Sequence, residues 1–261
     1  MRITSILYHD VVPPGGADSS GFPGPAAARY KLEVSQFERH LKAIQEATVG
    51  VPGTIFQLLS ANYCAPALVL TFDDGGNSAL KAAEMLDRIG WRGHFFITTN
   101  HIGQKGFLNT DELRELRERG HVVGSHSCSH PERMAACGWQ QMLREWSESV
   151  RVLSDLLGET VSTASVPRGS YSRKVAQAAA ASGIKFLFTS EPMTRTGRVD
   201  GCLILGRYTI YRGTPPNVAA GFASGHWRPR LQQMLYWNLK KAVKRMGGDT
   251  YLRLRRAHGQ G

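Results

Sequence analysis

The chain has 261 residues, 42% of them hydrophobic, which is enough for one sizeable core and excludes a wholly disordered chain. The formal net charge is +11, yet residues 226–261 hold nine Lys and Arg against one acid, Asp249, so residues 1–225 carry only +3. The body is nearly balanced and the end is strongly basic. The first residues, Met1 to Val12, lack the apolar stretch and small-residue cleavage site of a signal peptide, and no apolar run is long enough to span a bilayer. Cys64, Cys128, Cys137 and Cys202 are scattered without CxxC spacing. Reduced thiols and a cytoplasmic location are the expectation, with peripheral contact at the inner membrane face.

Taken in chain order, short apolar runs alternate with helical patterns. Ile3–Tyr8 ends at His9, and Ala67–Phe72 ends at Asp73 and Asp74. Phe95–Thr98 follows Gly93, His121–Ser125 leads into His126, and Ser162–Val166 ends at Pro167. Ile184–Thr189 and the weaker Leu203–Leu205 complete the set of expected strands. Between them, Ser35 to Glu38 reads as a capping box ahead of Phe37, Leu41 and Ile44. Further helices are predicted over 77–89, from a Thr110 cap, over 139–157 and over 172–182. Alternation of this kind predicts an α/β fold with a mostly parallel sheet, and reactive residues collect at the carboxyl ends of such strands. Residues 10–30 are rich in Pro and Gly and follow His9, which predicts an active-site loop.

Two segments carry the chemistry. Asp73 and Asp74 close an apolar strand and are followed by Gly75, a pattern that also fits a plain solvated turn. His126 and His130 are four residues apart and can share a metal if the backbone makes one turn; in an extended chain Cys128 becomes a rival ligand. Together the two segments supply two imidazoles, one ligating carboxylate and one spare carboxylate. That set suits Zn²⁺ holding a water, with the spare Asp as general base. His94 lies within a strand and reads as a satisfied core residue, and His101 has no assigned role.

The stretches Thr71–Gly75, Gly93–Phe96 with Gly103 to Leu108, and Gly120–Pro131 resemble the polysaccharide deacetylase family, the NodB-like carbohydrate esterases. Pro167–Tyr171 is a weaker match, and the likeness covers roughly residues 3–210. The resemblance implies a distorted (β/α) barrel, here residues 1–225, that removes acetyl groups from N-acetylated glycans with a divalent metal. Zinc is the usual ion; Co²⁺, Ni²⁺ and Mn²⁺ are alternatives. Carried over, Asp74, His126 and His130 are the metal ligands and Asp73 is the general base. Pro167, Arg168 and Tyr171 fall in the substrate-binding segment. Two departures stand out. Ser165 occupies the place of the Arg that pairs with the catalytic Asp, and the C-terminal Leu-x-His motif that supplies the acid is missing. Members acting on bacterial exopolysaccharides carry an N-terminal Tyr-His instead, which here makes His9 of Tyr8-His9 the expected acid. A catalytically weak, glycan-binding relative is the alternative.

Residues 226–261 are expected to form a separate basic helix and tail. In 230–246, Leu231, Met234, Leu235, Leu239, Ala242, Val243 and Met246 recur at helical spacing, with Lys240, Lys241, Lys244 and Arg245 mainly off that stripe. The pattern fits a helix on an anionic membrane surface or one packed on the barrel with a solvated basic face. No motif beyond charge points to nucleic acid, so no specific nucleic-acid partner is expected.

Overall fold

Residues 2–60 and 67–241 are described by a computed structural model; Cys64 and the predicted tail beyond residue 241 lie outside them. The strands are β1 (Thr4–Tyr8), β2 (Val11–Val12), β3 (Leu32–Glu33), β4 (Leu68–Phe72), β5 (Gly93–Ile97), β6 (Val122–Ser125), β7 (Thr163–Ser165), β8 (Phe186–Phe188), β9 (Gly197–Val199), β10 (Cys202–Leu205) and β11 (Tyr208–Thr209). The helices are α1 (Pro25–Ala28), α2 (Val34–Ala47), α3 (Ile55–Ser60), α4 (Ala79–Asp87), α5 (Thr110–Glu118), α6 (Trp139–Leu157), α7 (Arg173–Ala181), α8 (Pro216–Ser224) and α9 (residues 227–241).

Nine strands form one sheet in the order β11-β1-β4-β5-β6-β7-β8-β10-β9. Every pairing in it is parallel except β10 with β9. β1, β4 and β5 are buried along their whole length, as expected of strands covered on both faces. The sheet curls until its ends approach each other: Arg2 bridges Arg195, and the Ile3 N–H donates to the Thr194 carbonyl at 2.9 Å. This is the mostly parallel, distorted barrel expected from the sequence. Its main core joins Ile6, Leu70, Phe72 and Phe95 of the sheet to Phe37 and Ile44 of α2 and Leu113 and Leu116 of α5. Each such side chain contributes about 1.5–3 kcal/mol on burial.

Two helix starts differ from expectation. Pairing of β2 with β3 holds the chain extended to Glu33, so α2 begins at Val34 with no side-chain cap and Ser35 falls inside its first turn. At α5 the cap is Asn109, not Thr110. Asn109 accepts from the backbone N–H groups of Asp111 and Glu112, and Glu112 accepts from the Asn109 N–H, closing a capping box one residue earlier. Gly158 ends α6 in the left-handed conformation expected of a C-terminal glycine. His94 is fully buried in β5, where its Nε2 accepts from the Ile55 N–H at 3.1 Å; burial pushes its pKa down to about 3.

α9 packs on the body through its polar side. The Gln233 side chain bonds both the N–H and the carbonyl of Thr209 at 2.8 Å, capping edge strand β11. Arg230 reaches Thr4 Oγ1 at 2.8 Å, and Lys241 reaches Glu191 at 2.8 Å. The apolar residues Leu231, Met234, Leu235 and Leu239 are exposed, so the helix turns its apolar stripe away from the barrel.

Candidate active site

The carboxyl ends of β1, β4, β6 and β7 open into one cavity of about 280 Å³, whose walls include His9, Asp73, Asp74, His126 and His130. Strand alternation would send Asp73 and Asp74 to opposite faces. Instead Asp74 takes the left-handed conformation, φ 78°, followed by Gly75 at φ 83°, and the bend turns both carboxylates into the cavity. Gly75 is required for a second reason: a Cβ there would stand 3.2 Å from the Ile97 side chain.

His126 and His130 are joined neither by a helical turn nor by an extended strand. Ser127 (φ 65°) and His130 (φ 56°) are both left-handed, and Glu145 of α6 pins the loop between them. Its carboxylate accepts from the N–H groups of Cys128 and Ser129 at 3.0 and 2.9 Å and from the Ser129 hydroxyl at 2.5 Å. The loop brings both imidazoles to Asp74, each Nε2 3.4 Å from Asp74 Oδ1. Among the described residues, Asp74, His126 and His130 form the cluster able to hold a metal ion, and Cys128 is not part of it.

The protonation pattern of this cluster follows from its neighbours. His126 Nδ1 lies 3.0 Å from the Ser165 carbonyl and 2.6 Å from its hydroxyl, which fixes the ring with Nε2 turned toward Asp74. Burial pushes the His130 imidazole down to about 3 against the pull of Asp74, so it is neutral near pH 7. Burial works against the Asp74 charge, but His126, His9 and His130 outweigh it and hold the carboxyl below its usual range. The Nε2 atoms of both imidazoles therefore face an ionised carboxylate. Ligand atoms crowded in this way fit a bound divalent cation.

Asp73 is 5% exposed and is held by a residue that the sequence reading did not single out. Arg207, fully buried between β10 and β11, donates from Nη1 to Asp73 Oδ1 at 2.7 Å and from Nη2 to Oδ2 at 2.9 Å. It also donates to the Thr189 carbonyl at 3.0 Å and to Thr71 Oγ1 at 3.2 Å. The Ser165 hydroxyl also donates to Asp73 Oδ1 at 2.9 Å. Burial raises the Asp73 pKa, but Arg207 and His126 outweigh it and leave the carboxyl below its ordinary value. The missing Arg beside Pro167 is thus replaced from another strand end. One signal in the sequence was available: Arg207 is a lone charge within Leu203–Tyr211, where an unpaired charge is not tolerated.

The Pro/Gly-rich loop folds over the cavity. Lys31 donates to the carbonyls of Ala17, Ser20 and Phe22 at 2.7, 2.5 and 2.6 Å, and Asp10 accepts from the hydroxyls of Ser20 and Ser78. Phe22 lies against His130, with ring centroids 4.7 Å apart. His9 stands in the cavity wall beside Tyr30, and its Nδ1 is buried without a hydrogen-bond partner among the described residues. Of the third segment, Arg168 (φ 54°) lines the cavity. Pro167 is buried, and Tyr171 packs against the cluster of Met134, Trp146 and Val175 rather than lining the cavity.

The curled, mostly parallel sheet gathers carboxylates and imidazoles at its carboxyl edge, where α/β barrels carry their reactive groups. Residues 60–187 match the polysaccharide deacetylase family model, and the chain belongs to that family. Over 217 residues it is 26% identical to YxkH of Bacillus subtilis, assigned provisionally as a polysaccharide deacetylase; the match covers 81% of this chain and 72% of that protein. A second relative is the peptidoglycan-N-acetylglucosamine deacetylase PgdA of Listeria monocytogenes, 30% identical over 112 residues, or 42% of this chain and 23% of that protein. The crystal structure of BC0361, a polysaccharide deacetylase from Bacillus cereus, shares the fold with a TM-score of 0.72 at 18% identity, covering 85% of this chain and 69% of that one.

Proposed function

We propose that this protein removes N-acetyl groups from a glycan, a polysaccharide or a lipid-linked amino sugar, by metal-dependent hydrolysis of the amide. The observation that carries this reading is the convergence of the ligand atoms of Asp74, His126 and His130, all within 4.8 Å of one another, beside a second, arginine-held carboxylate. A divalent metal held by those three residues, Zn²⁺ by the donor set, supplies a Lewis acid for the acetyl carbonyl and an acidified water. Asp73 takes the proton of the attacking water, and Arg207 and Ser165 keep it ionised and aimed. His9 gives a proton to the departing amine, in the manner of relatives that carry an N-terminal Tyr-His and act on exopolysaccharides. The backbone N–H of Arg168 donates to the developing oxyanion. Pro167 sets the turn that presents Arg168, and Arg168 contacts the glycan; Tyr171, packed away from the cavity, supports that turn from behind. The rival reading, a glycan binder without turnover, draws on Ser165 and the missing Leu-x-His motif; Arg207 supplies the charge that Ser165 lacks.

The test is acetate release from N-acetylglucosamine oligomers and from an aryl acetate, with Zn²⁺ or Co²⁺ added and then removed by chelation. No release from either under any metal sinks the proposal. His9→Ala is expected to lower turnover of the amide about 10²- to 10³-fold, the range of general-acid catalysis. The aryl ester, whose phenolate leaves without a proton, is expected to lose much less. Equal losses on both substrates would remove His9 as the acid.

We further propose that α9 rests on an anionic membrane at the cytoplasmic face. No helix among the described residues is long and apolar enough to cross one. The exposed Trp227, Leu231, Leu235 and Leu239, with Arg228 and Lys244 nearby in sequence, fit an interfacial helix. Co-sedimentation with phosphatidylglycerol vesicles is expected to fall several-fold in Leu235→Glu/Leu239→Glu and in high salt. Equal binding by that variant and the parent overturns the assignment.

A further inference from the structure

α9 is also a wall of the active-site cavity, to which it contributes Trp237. Gln233, Trp237 and Lys241 are spaced by four residues and share one face of the helix. That face is fastened on both sides of the ring. One turn before it, Gln233 bonds the Thr209 N–H and carbonyl at 2.8 Å; one turn after it, Lys241 reaches Glu191 at 2.8 Å. The position of Trp237 is thus set by its neighbours on the helix.

The indole lies on the turn that carries Arg168. A Cβ at Gly169 would stand 2.9 Å from Trp237 Cη2 and 3.1 Å from Ser190 Cβ, so only glycine fits against these two side chains. Trp237 Nε1 is buried and has no hydrogen-bond partner among the described residues. A buried donor left unmade costs about 1–3 kcal/mol, which a purely apolar side chain would avoid. What the indole adds over such a side chain is its reach across to Gly169.

The turn beneath the ring is strained. Arg168 (φ 54°) and Gly169 (φ 62°) are left-handed in succession. A left-handed residue with a Cβ costs about 1–2 kcal/mol and persists only where its surroundings compel it. Within the turn, the Gly169 N–H donates to the Val166 carbonyl at 3.3 Å, a long bond, and the Ser170 N–H to the Pro167 carbonyl at 3.0 Å. Packing from outside the turn supplies the rest, and Trp237 is the part of it that comes from α9.

We propose that Trp237 is a positioning residue for the oxyanion donor: seated on Gly169, it holds the left-handed turn and so aims the Arg168 N–H. The inference rests on the deacetylase reading, in which that N–H meets the oxyanion. Its effect belongs to the transition state, because the donor is aimed at the place where charge develops.

The experiment is steady-state kinetics of the full chain with Zn²⁺ added, on N-acetylglucosamine oligomers and on an aryl acetate. Trp237→Ala is expected to lower kcat about 10- to 100-fold on both substrates, a misaimed donor being a fraction of a lost one. KM is expected to stay within about twofold, the signature of an interaction made only in the transition state. Trp237→Phe, which keeps a ring, is expected to recover most of the loss. A rise in Tm on adding Zn²⁺ is expected in Trp237→Ala as in the parent, which shows that the fold and the metal site persist. Gly169→Ala keeps the test open if the truncated side chain unsettles α9. Its methyl group takes the place of the ring, so it is expected to give the same loss of kcat, and to add less than that factor when combined with Trp237→Ala. Parental kcat in Trp237→Ala overturns the assignment, as does a raised KM at unchanged kcat. A loss on the amide alone overturns it too, because it places the effect on the leaving group. So do losses at Gly169 and Trp237 that simply multiply. No acetate release from the parent is a different failure: it sinks the deacetylase reading, and this assignment with it.

Discussion

Asp74→Asn is expected to abolish metal binding and, with it, turnover. Asn suits the experiment because it tolerates the left-handed φ of 78° at this position, where most residues would add strain of their own. The substitution removes one charge and one ligand atom while keeping the shape. With the imidazoles of His126 and His130 left alone, affinity for Zn²⁺ is expected to fall more than about 100-fold, beyond the effect of losing an outer-shell partner. Turnover is expected to fall on the order of 10³-fold or more, since both carbonyl polarisation and water activation go together. A second readout needs no substrate. At a metal concentration 100 times Kd, a ligand that binds only the folded chain stabilises it by about 2.7 kcal/mol. For a domain of this size that is a rise in Tm of roughly 5–10 °C. The parent should show this shift on adding Zn²⁺, and Asp74→Asn should not. A variant that keeps both the shift and full turnover would remove Asp74 from the ligand set.

Much of the barrel was legible because most of its strands are short, largely apolar runs that end in polar residues. β1, β4 and β5 fall almost where Ile3–Tyr8, Ala67–Phe72 and Phe95–Thr98 were read. The helix starts were less legible, since α2 is fixed by a tertiary pairing of two-residue strands that carry no periodic signal. β9 and β11 went unread for the same reason, being three and two residues long. The four residues Asp73, Asp74, His126 and His130 were legible as a set because their spacing lies within two local segments. How they converge was not. That depends on left-handed backbone at Asp74, Ser127 and His130, positions where nothing but tertiary contacts such as those of Glu145 compels the conformation.

Arg207 was the hardest residue to see, because its partner is 134 positions away and the curl of the sheet alone brings them together. The same curl explains why Ser165 is tolerated. β7 ends beside Asp73 and contributes a hydroxyl, while the segment between β10 and β11 returns across the seam and contributes the charge. α9 then caps β11 through Gln233, so the helix that walls the cavity also secures the strand next to Arg207.

Arg207→Met is therefore expected to damage both stability and catalysis, and a double-mutant cycle separates the two. Met matches the volume of the aliphatic stem but leaves Asp73 as a buried carboxylate with only the Ser165 hydroxyl and a histidine 3.9 Å from Oδ2. Removing one partner of a buried pair costs about 3–5 kcal/mol, most of it the penalty of the stranded charge. The carboxyl can escape that penalty by taking up a proton, but a protonated Asp73 cannot accept one from water, so turnover is expected to fall about 10²- to 10⁴-fold. Asp73→Asn removes the charge on the other side and strands Arg207 instead. Combining Asp73→Asn with Arg207→Met removes both charges, and urea unfolding is expected to return much of the stability lost in either single variant. Turnover is expected to stay at the floor set by Asp73→Asn. Arg207→Lys keeps a charge but loses the two-pronged geometry, and should recover stability better than activity. Additive losses of stability in the double variant, or parental turnover in Arg207→Met, would show that the pair neither shares its energy nor holds the base.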